Sequence, residues 1–418
     1  MGYTQLEGRL KNQGAGGAMT KIRILALDGA GSRAGVHARA LGRLYGDDTP
    51  GREIVRQFDF IAGNSGGSIV LTALCCNYTP LEIAGFYDDP DTVRRMFSPR
   101  WVAYVPLLRY VLPRYSAEGK FAALREIFDR RRKVGEPLPS TINLRDWPSY
   151  LKSDVNLLVI ALDYDRERAS FFRSNVNSVT KSSAPPIDAT LVEAVHASTN
   201  APVIYYDKPA EVSGGRYWDG ALAGYNNPVL AAVVEALANR PGHAADMRVL
   251  SLGTGTTVQP LTTEGAPPPM GKAPDNNCLF TWIRKAATVI VGDPPDAATF
   301  HAHVALGQRM PRGGAPVSNG NVVRLCPFVS PIWDLDPVTK KNAWRLPFGL
   351  SEADFLNLLK LEVDSMDRSA LDLIRKMCDL WIADKIPNQP IRAGDHLRCD
   401  IGQDRFSEAA KHWHYIAS

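Results

Sequence analysis

The chain of 418 residues has no uninterrupted apolar run as long as the roughly 18 to 20 residues that a membrane-spanning helix needs. The nearest approach, 60–76, is broken by Asn64, Ser65, Ser68 and Thr72. A cytoplasmic protein is therefore expected, soluble or in peripheral contact with a membrane. Cysteine is scarce and scattered: of six, only Cys75 and Cys76 are close together, and no CxxC or Cys/His ligand spacing occurs. These gaps exclude the usual zinc frameworks and fit reduced thiols. His301 and His303 read as a solvated pair rather than part of a ligand set. A charge excess is also missing, since a formal +4 is small for this length. No nucleic-acid polymer is expected as a partner, although local basic clusters remain available to an anionic membrane surface. No Gly-Lys-Ser or Gly-Lys-Thr is present, which excludes a P-loop. Residues 1–20 lack the apolar core of an export signal, and Leu6 stands where a myristoylation signal needs Ser or Thr. They read as a flexible leader, with Met19 as a second candidate start. No internal repeat is present, and nothing here sets an oligomeric state.

What is present begins with KIRILALDGAGSRAGVHARALGRL, an apolar run, a glycine cluster and then helical periodicity. That pattern is strand, tight loop, helix. It recurs at FDFIAGNSGGSIVLTALCC, where the strand 58–62 turns at Gly63 into a helix starting near Gly66. Two such units call for parallel strands with crossover helices, hence an α/β class. Further strands are expected at 156–163, 216–219 and 247–253, all with the look of central strands; the continuous NLLVIALD suits a strand covered on both faces.

Residues 80–150 are richer in Arg, aromatic residues and Pro, and read as a helical insertion or lid. Within them, Arg94, Arg95, Arg100, Arg109 and Arg114 alternate with Trp101, Tyr104, Tyr110 and Tyr115. Two readings stand: a partly buried helix pair broken at Pro106 and Pro113, or a membrane-facing surface with aromatics at the headgroup level and Arg on phosphates. Residues 257–277 read as an exposed loop. Helix is expected over 278–310, a late strand at 322–329, and one long amphipathic helix or a helix pair over 351–385.

Three motifs carry chemistry. Gly63-Asn64-Ser65-Gly66-Gly67 lies between a strand and a helix, and a strained turn of that kind lifts a serine hydroxyl into a cleft, with a helix N-terminus beyond it. Asp28-Gly29-Ala30-Gly31-Ser32-Arg33-Ala34-Gly35 points backbone amides at one spot, an anion cradle for an oxyanion or a phosphate. Gly29, Gly31 and Ala34 also satisfy a relaxed dinucleotide fingerprint, with Asp47 or Asp48 near the place of a ribose-binding acid. Tyr217-Trp218-Asp219-Gly220-Ala221 ends a strand at a turn, where Asp219 is placed to act as a direct base for Ser65. A Ser/His/Asp triad is weaker. No histidine after Asp219 sits in a glycine-framed loop at a strand end, and His196 lies in a helical stretch.

In this order the three motifs resemble those of the patatin-like phospholipases, whose pattern is a glycine-rich oxyanion loop, then GxSxG, then Asp-Gly-Gly/Ala. AVHASTNAPV and LSLGTG are similar to two further blocks of that family, and the likeness covers about 21–255. The resemblance implies a three-layer α/β/α sandwich around a mostly parallel sheet, with a catalytic domain at 21–340 and a C-terminal helical extension at 341–418. It implies a lipid acyl hydrolase with a Ser65–Asp219 dyad and no metal or organic cofactor. The oxyanion would be held by amides around Ala30, Gly31 and Ser32, within a loop that includes Gly29 and the basic Arg33. Ala30 and Ala34 replace glycines of the pattern. At positive φ, Ala30 would carry roughly 1 kcal/mol of strain, which opens a second reading: a catalytically weak scaffold that binds membrane or a partner. Some members of the family answer to a cyclic-nucleotide signal, but no residue here identifies such a trigger.

Overall fold

Residues Ile22–Leu27 form strand β1, and both of its faces are covered. Leu25 and Leu27 join one core, while Ile22, Ile24 and Ala26 join another. This split of period two explains the continuous apolar run. The same division holds in β2 (Phe60–Asn64) and β3 (Asn156–Asp163): Ile61, Leu157, Val159 and Ala161 face the first core, and Phe60, Ala62, Leu158 and Ile160 the second. The computed structural model describes residues 21–105, 108–180, 187–260, 267, 289–290, 297–310, 317–336, 339–392 and 401–418. The leader expected at 1–20 lies outside them.

The remaining strands are β4 (Arg168–Arg173), β5 (Ala210–Val212), β6 (Gly215–Asp219), β7 (Met247–Leu252), the short β8 (Thr256–Thr257) and β9 (Val322–Leu325). The main sheet runs β5-β6-β3-β2-β1-β7-β9, with β4 on the other edge of β3. Strands β1, β2, β3, β7 and β9 are mutually parallel, whereas β4, β5 and β6 join antiparallel. The strand ending in Asp219 thus departs from the central place expected for it and lies second from the edge.

Helices α1 (Gly35–Tyr45), α2 (Gly51–Val55) and α3 (Gly66–Cys75) come first. Next are α4 (Pro80–Asp88), α5 (Pro90–Phe97), α6 (Ala117–Asp129), α7 (Trp147–Leu151), α8 (Leu191–Ser198) and α9 (Val229–Asn239). Leu41 of α1, Leu71 of α3 and Val195 of α8 pack in the first core; Val229 and Val233 of α9, with Ala298 and Ala302, pack in the second. Helices therefore cover both faces of the sheet, an α/β/α sandwich. Among the described residues, no helix is long and apolar enough to cross a membrane.

The stretch 94–115 is not the helix pair that one reading required. Among its described residues it makes, after α5, only short 3-10 turns at Trp101–Tyr104 and Leu108–Tyr110, and Trp101 and Tyr104 are each 65% exposed. The expected loop at 257–277 opens with β8 paired to Phe328–Val329 and otherwise lies almost wholly outside the described residues; of 278–310, residues 289–290 and 297–305 are seen as helix. A helix pair, Glu352–Lys360 and Arg368–Ile382, occupies the expected amphipathic region.

The last helix, Phe406–Ala417, belongs to the main core. Trp413 stacks on Phe58 with ring centroids 5.9 Å apart and donates from Nε1 to the Tyr45 hydroxyl at 2.8 Å. Trp413→Ala should therefore cost about 3–5 kcal/mol and lower the thermal unfolding midpoint by several degrees. A midpoint equal to that of the parent protein would place this helix outside the cooperative unit.

Candidate active site

Strand β2 ends at Asn64, and the backbone then turns sharply at Ser65, with φ 47° and ψ −124°. Such angles cost a non-glycine residue about 1–3 kcal/mol, so neighbours must hold them. The Ser65 amide donates to Ser198 Oγ at 2.8 Å. The Ser68 amide and hydroxyl both donate to the Ser65 carbonyl, at 2.9 and 2.6 Å. Contact explains the glycines: a Cβ on Gly67 would fall 2.2 Å from the Leu27 carbonyl oxygen, and one on Gly63 would fall 2.9 Å from Ser68 Cα. Helix α3 starts at Gly66, so its N-terminal dipole end faces the serine.

Asp219 arrives from the opposite direction. In β3, Ile160 pairs with Asn64 in parallel register, and the next residue, Ala161, pairs with Asp219 in antiparallel register. Because β4 fills the other edge of β3, β2 and β6 must abut end to end on the same edge. That meeting brings Ser65 and Asp219 together. Both are nearly buried, at 9% and 7% exposure. Asp219 Oδ1 accepts from the Ala221 amide at 2.9 Å and from Asn64 Nδ2 at 3.3 Å. Burial pushes the Asp219 carboxyl above its usual pKa; hydrogen bonds from the Ser65 side chain, the Ala221 amide and Asn64, and the charge of Lys120, act in the opposite sense. Gly220 fits because Asn64 crowds it: a Cβ there would lie 2.5 Å from Asn64 Oδ1.

Among the described residues no histidine ring hydrogen-bonds Ser65 or Asp219. His196 is buried and stacked on Phe121 with centroids 4.7 Å apart. Burial and the nearby Lys120 and Lys208 push it down to about 2. Among those same residues no group of three His, Cys, Asp or Glu converges as a metal site.

The loop after β1 is held from below and above. Asp28 forms a two-pronged pair with Arg324, at 2.6 and 3.0 Å. Ala30 is extended at φ −162° and Ala34 is helical at φ −62°; the left-handed residue is Gly31, at φ 52°. The strain anticipated at Ala30 therefore does not arise. The Gly29 amide donates to the Asn226 carbonyl at 2.7 Å, and Ser32 donates to the Val363 carbonyl at 2.8 Å. Ser32 thus leaves the amide cluster expected of this loop, because a late segment of the chain has taken its hydrogen. Among the described residues, the amides of Ala30, Gly31 and Gly66 have no acceptor. The last two are close, since a Cβ on Gly66 would lie 3.1 Å from the Gly31 nitrogen. The Arg33 guanidinium donates to the carbonyls of Gly255 at 3.4 Å and Leu358 at 3.1 Å.

Val363 packs so tightly on the loop that a Cβ on Gly31 would lie 2.0 Å from its carbonyl oxygen. The close backbone approach that a dinucleotide fingerprint reserves for a pyrophosphate is made here at Gly31 by the Val363 carbonyl, which counts against the dinucleotide reading. The segment 361–367 is itself fastened. Asp364 pairs with Arg114 at 2.8 Å and accepts from the Tyr115 hydroxyl, while Glu362 reaches Arg114 at 3.1 Å.

Several residues of this arrangement escaped the motif reading. Ser198 and Asn200 lie in the block AVHASTNAPV, but their bonds to the site are not legible from composition. Lys120 carried a readable signal, because it shares the buried stripe of α6 with Ala117, Leu124 and Ile127, where an apolar residue is the ordinary choice. Arg114 was legible only as part of the Arg and aromatic stretch, whose membrane-facing reading it does not fit because it is buried and paired with Glu362 and Asp364; Arg324 and Val363 carried no signal.

A family model described as patatin-like phospholipase matches residues 25–233. The chain belongs to the patatin-like phospholipase family. One curated relative, the cUMP-AMP-activated phospholipase of Escherichia coli, is 23% identical over 245 residues, or 57% of this chain and 66% of that protein. The chain thus matches just under two thirds of that relative's length. Among solved structures, VipD from Legionella pneumophila aligns with a TM-score of 0.31 and 11% identity over 86% of this chain and 67% of that one. The complex of SpcU with ExoU from Pseudomonas aeruginosa aligns with a TM-score of 0.25 and 15% identity, over 43% and 38%. The patatin-like match ends within α9, so β7, β9 and the segment over the Gly31 loop lie beyond it.

Gly31→Ala should force Val363 away and free the Ser32 amide. Hydrogen–deuterium exchange in peptides spanning 30–34 and 361–366 is expected to quicken at least about tenfold, the effect of roughly 1.4 kcal/mol of local destabilisation, with β3 unchanged. Unaltered exchange in both peptides would contradict the packing described.

Proposed function

We propose that this patatin-like chain cleaves fatty-acyl esters of phospholipids or lysophospholipids, with Ser65 as nucleophile and Asp219 as its base. The observation that carries this reading is a serine on a strained turn facing a buried carboxylate, beside amides that have no acceptor among the described residues. The Ser65 hydroxyl attacks the ester carbonyl carbon while its proton passes to Asp219. Charge developing on the carbonyl oxygen is met by the amides of Ala30, Gly31 and Gly66 at the start of α3. Collapse of the tetrahedral species breaks the ester bond, and the departing alkoxide takes the proton from Asp219. Water, giving its proton to the same carboxylate, then attacks the acyl-serine; the bond to Ser65 Oγ breaks, the fatty acid leaves, and the serine oxygen takes the proton back from Asp219. The hydrogen bonds to Asp219 from Asn64 and Ala221 keep one oxygen fixed, which supports a base that needs no histidine.

The substrate is an acyl lipid met at a cytoplasmic membrane surface. Trp101, Tyr104, Val111 and Leu112 are exposed, and an aromatic and aliphatic tip of this kind suits shallow insertion among headgroups. The weak-scaffold reading loses its motive, because neither alanine of the loop is strained. The name of the Escherichia coli relative favours one addition, dependence on a cyclic dinucleotide. Fatty-acid release from vesicles measured with and without cUMP-AMP tests it; equal rates reject it.

Ser65→Ala and Asp219→Asn should each lower fatty-acid release from mixed phospholipid vesicles by about 10³-fold or more, with the circular dichroism spectrum retained. Undiminished turnover in Ser65→Ala sinks the proposal. Asp219 must be ionised to accept the proton, so activity should fall as pH drops through its folded pKa. Because burial raises that value, the midpoint should lie above the ordinary 3.8, and a kcat/KM profile flat down to that pH would contradict the assignment.

A further inference from the structure

Lys120 is a buried charge that the reaction just described does not use. It projects from α6 with 2% exposure, and its Nζ touches no carboxylate among the described residues. Instead it donates to the His196 carbonyl at 2.9 Å, Thr199 Oγ1 at 3.0 Å and Asn200 Oδ1 at 2.9 Å. All three partners can only accept. The Thr199 hydroxyl hydrogen is spent on the Val195 carbonyl at 2.8 Å, and Asn200 Nδ2 is spent on the Lys208 carbonyl at 2.8 Å. A neutral amine has two hydrogens to give, and three acceptors call for the ammonium. The Tyr206 ring, 4.2 Å from Nζ, adds a cation–π contact.

The residues that Lys120 grips lead directly to the candidate dyad. Ser198, within the gripped turn, accepts the Ser65 amide, and the Asn200 carbonyl accepts the Asp219 amide at 3.0 Å. We infer that Lys120 is a positioning residue: its ammonium pins the end of α8, which holds the backbones of Ser65 and Asp219, and it serves as the buried counter-charge that keeps Asp219 ionised. The inference rests on Asp219 being the base. Burial holds the Lys120 pKa well below and that of Asp219 above the ordinary value, and each charge partly opposes the shift of the other. The remaining titratable neighbours do not supply a substitute cation. His196 is neutral, Tyr206 is held protonated by burial and by Asp364 and Asp219, and Lys208 is engaged outside by Glu118.

The test is the pH profile of kcat/KM for a soluble p-nitrophenyl ester, measured on the full chain. Lys120→Met should move the acid-side midpoint upward by about one pH unit or more, with kcat recovering toward the parent value at high pH. Thr199→Val removes one acceptor while keeping the shape, and should move the midpoint in the same direction by less; it carries the test alone if Lys120→Met does not fold. A midpoint that disappears in Asp219→Asn but stays in place in every folded variant of the other two overturns the inference. A midpoint that persists unchanged in Asp219→Asn overturns the dyad reading, and this inference with it.

Discussion

Strand β3 carries, on one edge, the ends of two strands that run toward each other. Everything at the candidate site depends on that register. A parallel partner stops opposite Ile160 and an antiparallel partner stops opposite Ala161, so a hydroxyl and a carboxylate from distant parts of the chain are left facing across a gap between strands. The arrangement has two costs, a strained serine and a buried charge. The first is offset by Ser198 and Ser68 bonding the Ser65 backbone, the second by the donors that surround Asp219.

The glycine-rich loop shows a different dependence. Glycine gives it access to the left-handed backbone at Gly31 and lets Gly66 and Val363 approach closely, but the same freedom leaves such a loop without an order of its own. Order comes from later chain. Arg324 in β9 holds Asp28, and the carbonyl of Val363 holds Ser32. Both lie beyond the region matched by the patatin-like family model, so the C-terminal part of this protein shapes a loop of the family region. Trp413 against Phe58 ties the final helix to the same body.

Strand, loop and helix at each motif were legible because hydrophobic period and glycine punctuation are local properties. So was the buried double-faced sheet, since NLLVIALD cannot keep either face in water. The antiparallel entry of β6 was not legible, because strand direction is set by pairing partners and not by composition. Neither was the loss of the Ser32 amide to Val363, a bond across more than 300 residues.

Residue chemistry along the chain determined which groups can be proposed for acyl transfer: Ser65 on a glycine-framed turn, Asp219 before another, and backbone amides after β1. Tertiary structure alone decided which of those amides have no acceptor among the described residues, that Ala30 avoids positive φ, and that Lys120 sits on the buried side of α6 with three acceptors around its Nζ. The division has a physical cause. Backbone period and turn preference act over a few residues, whereas hydrogen-bond satisfaction and charge compensation in a dry interior depend on whatever the fold brings within about 3 Å.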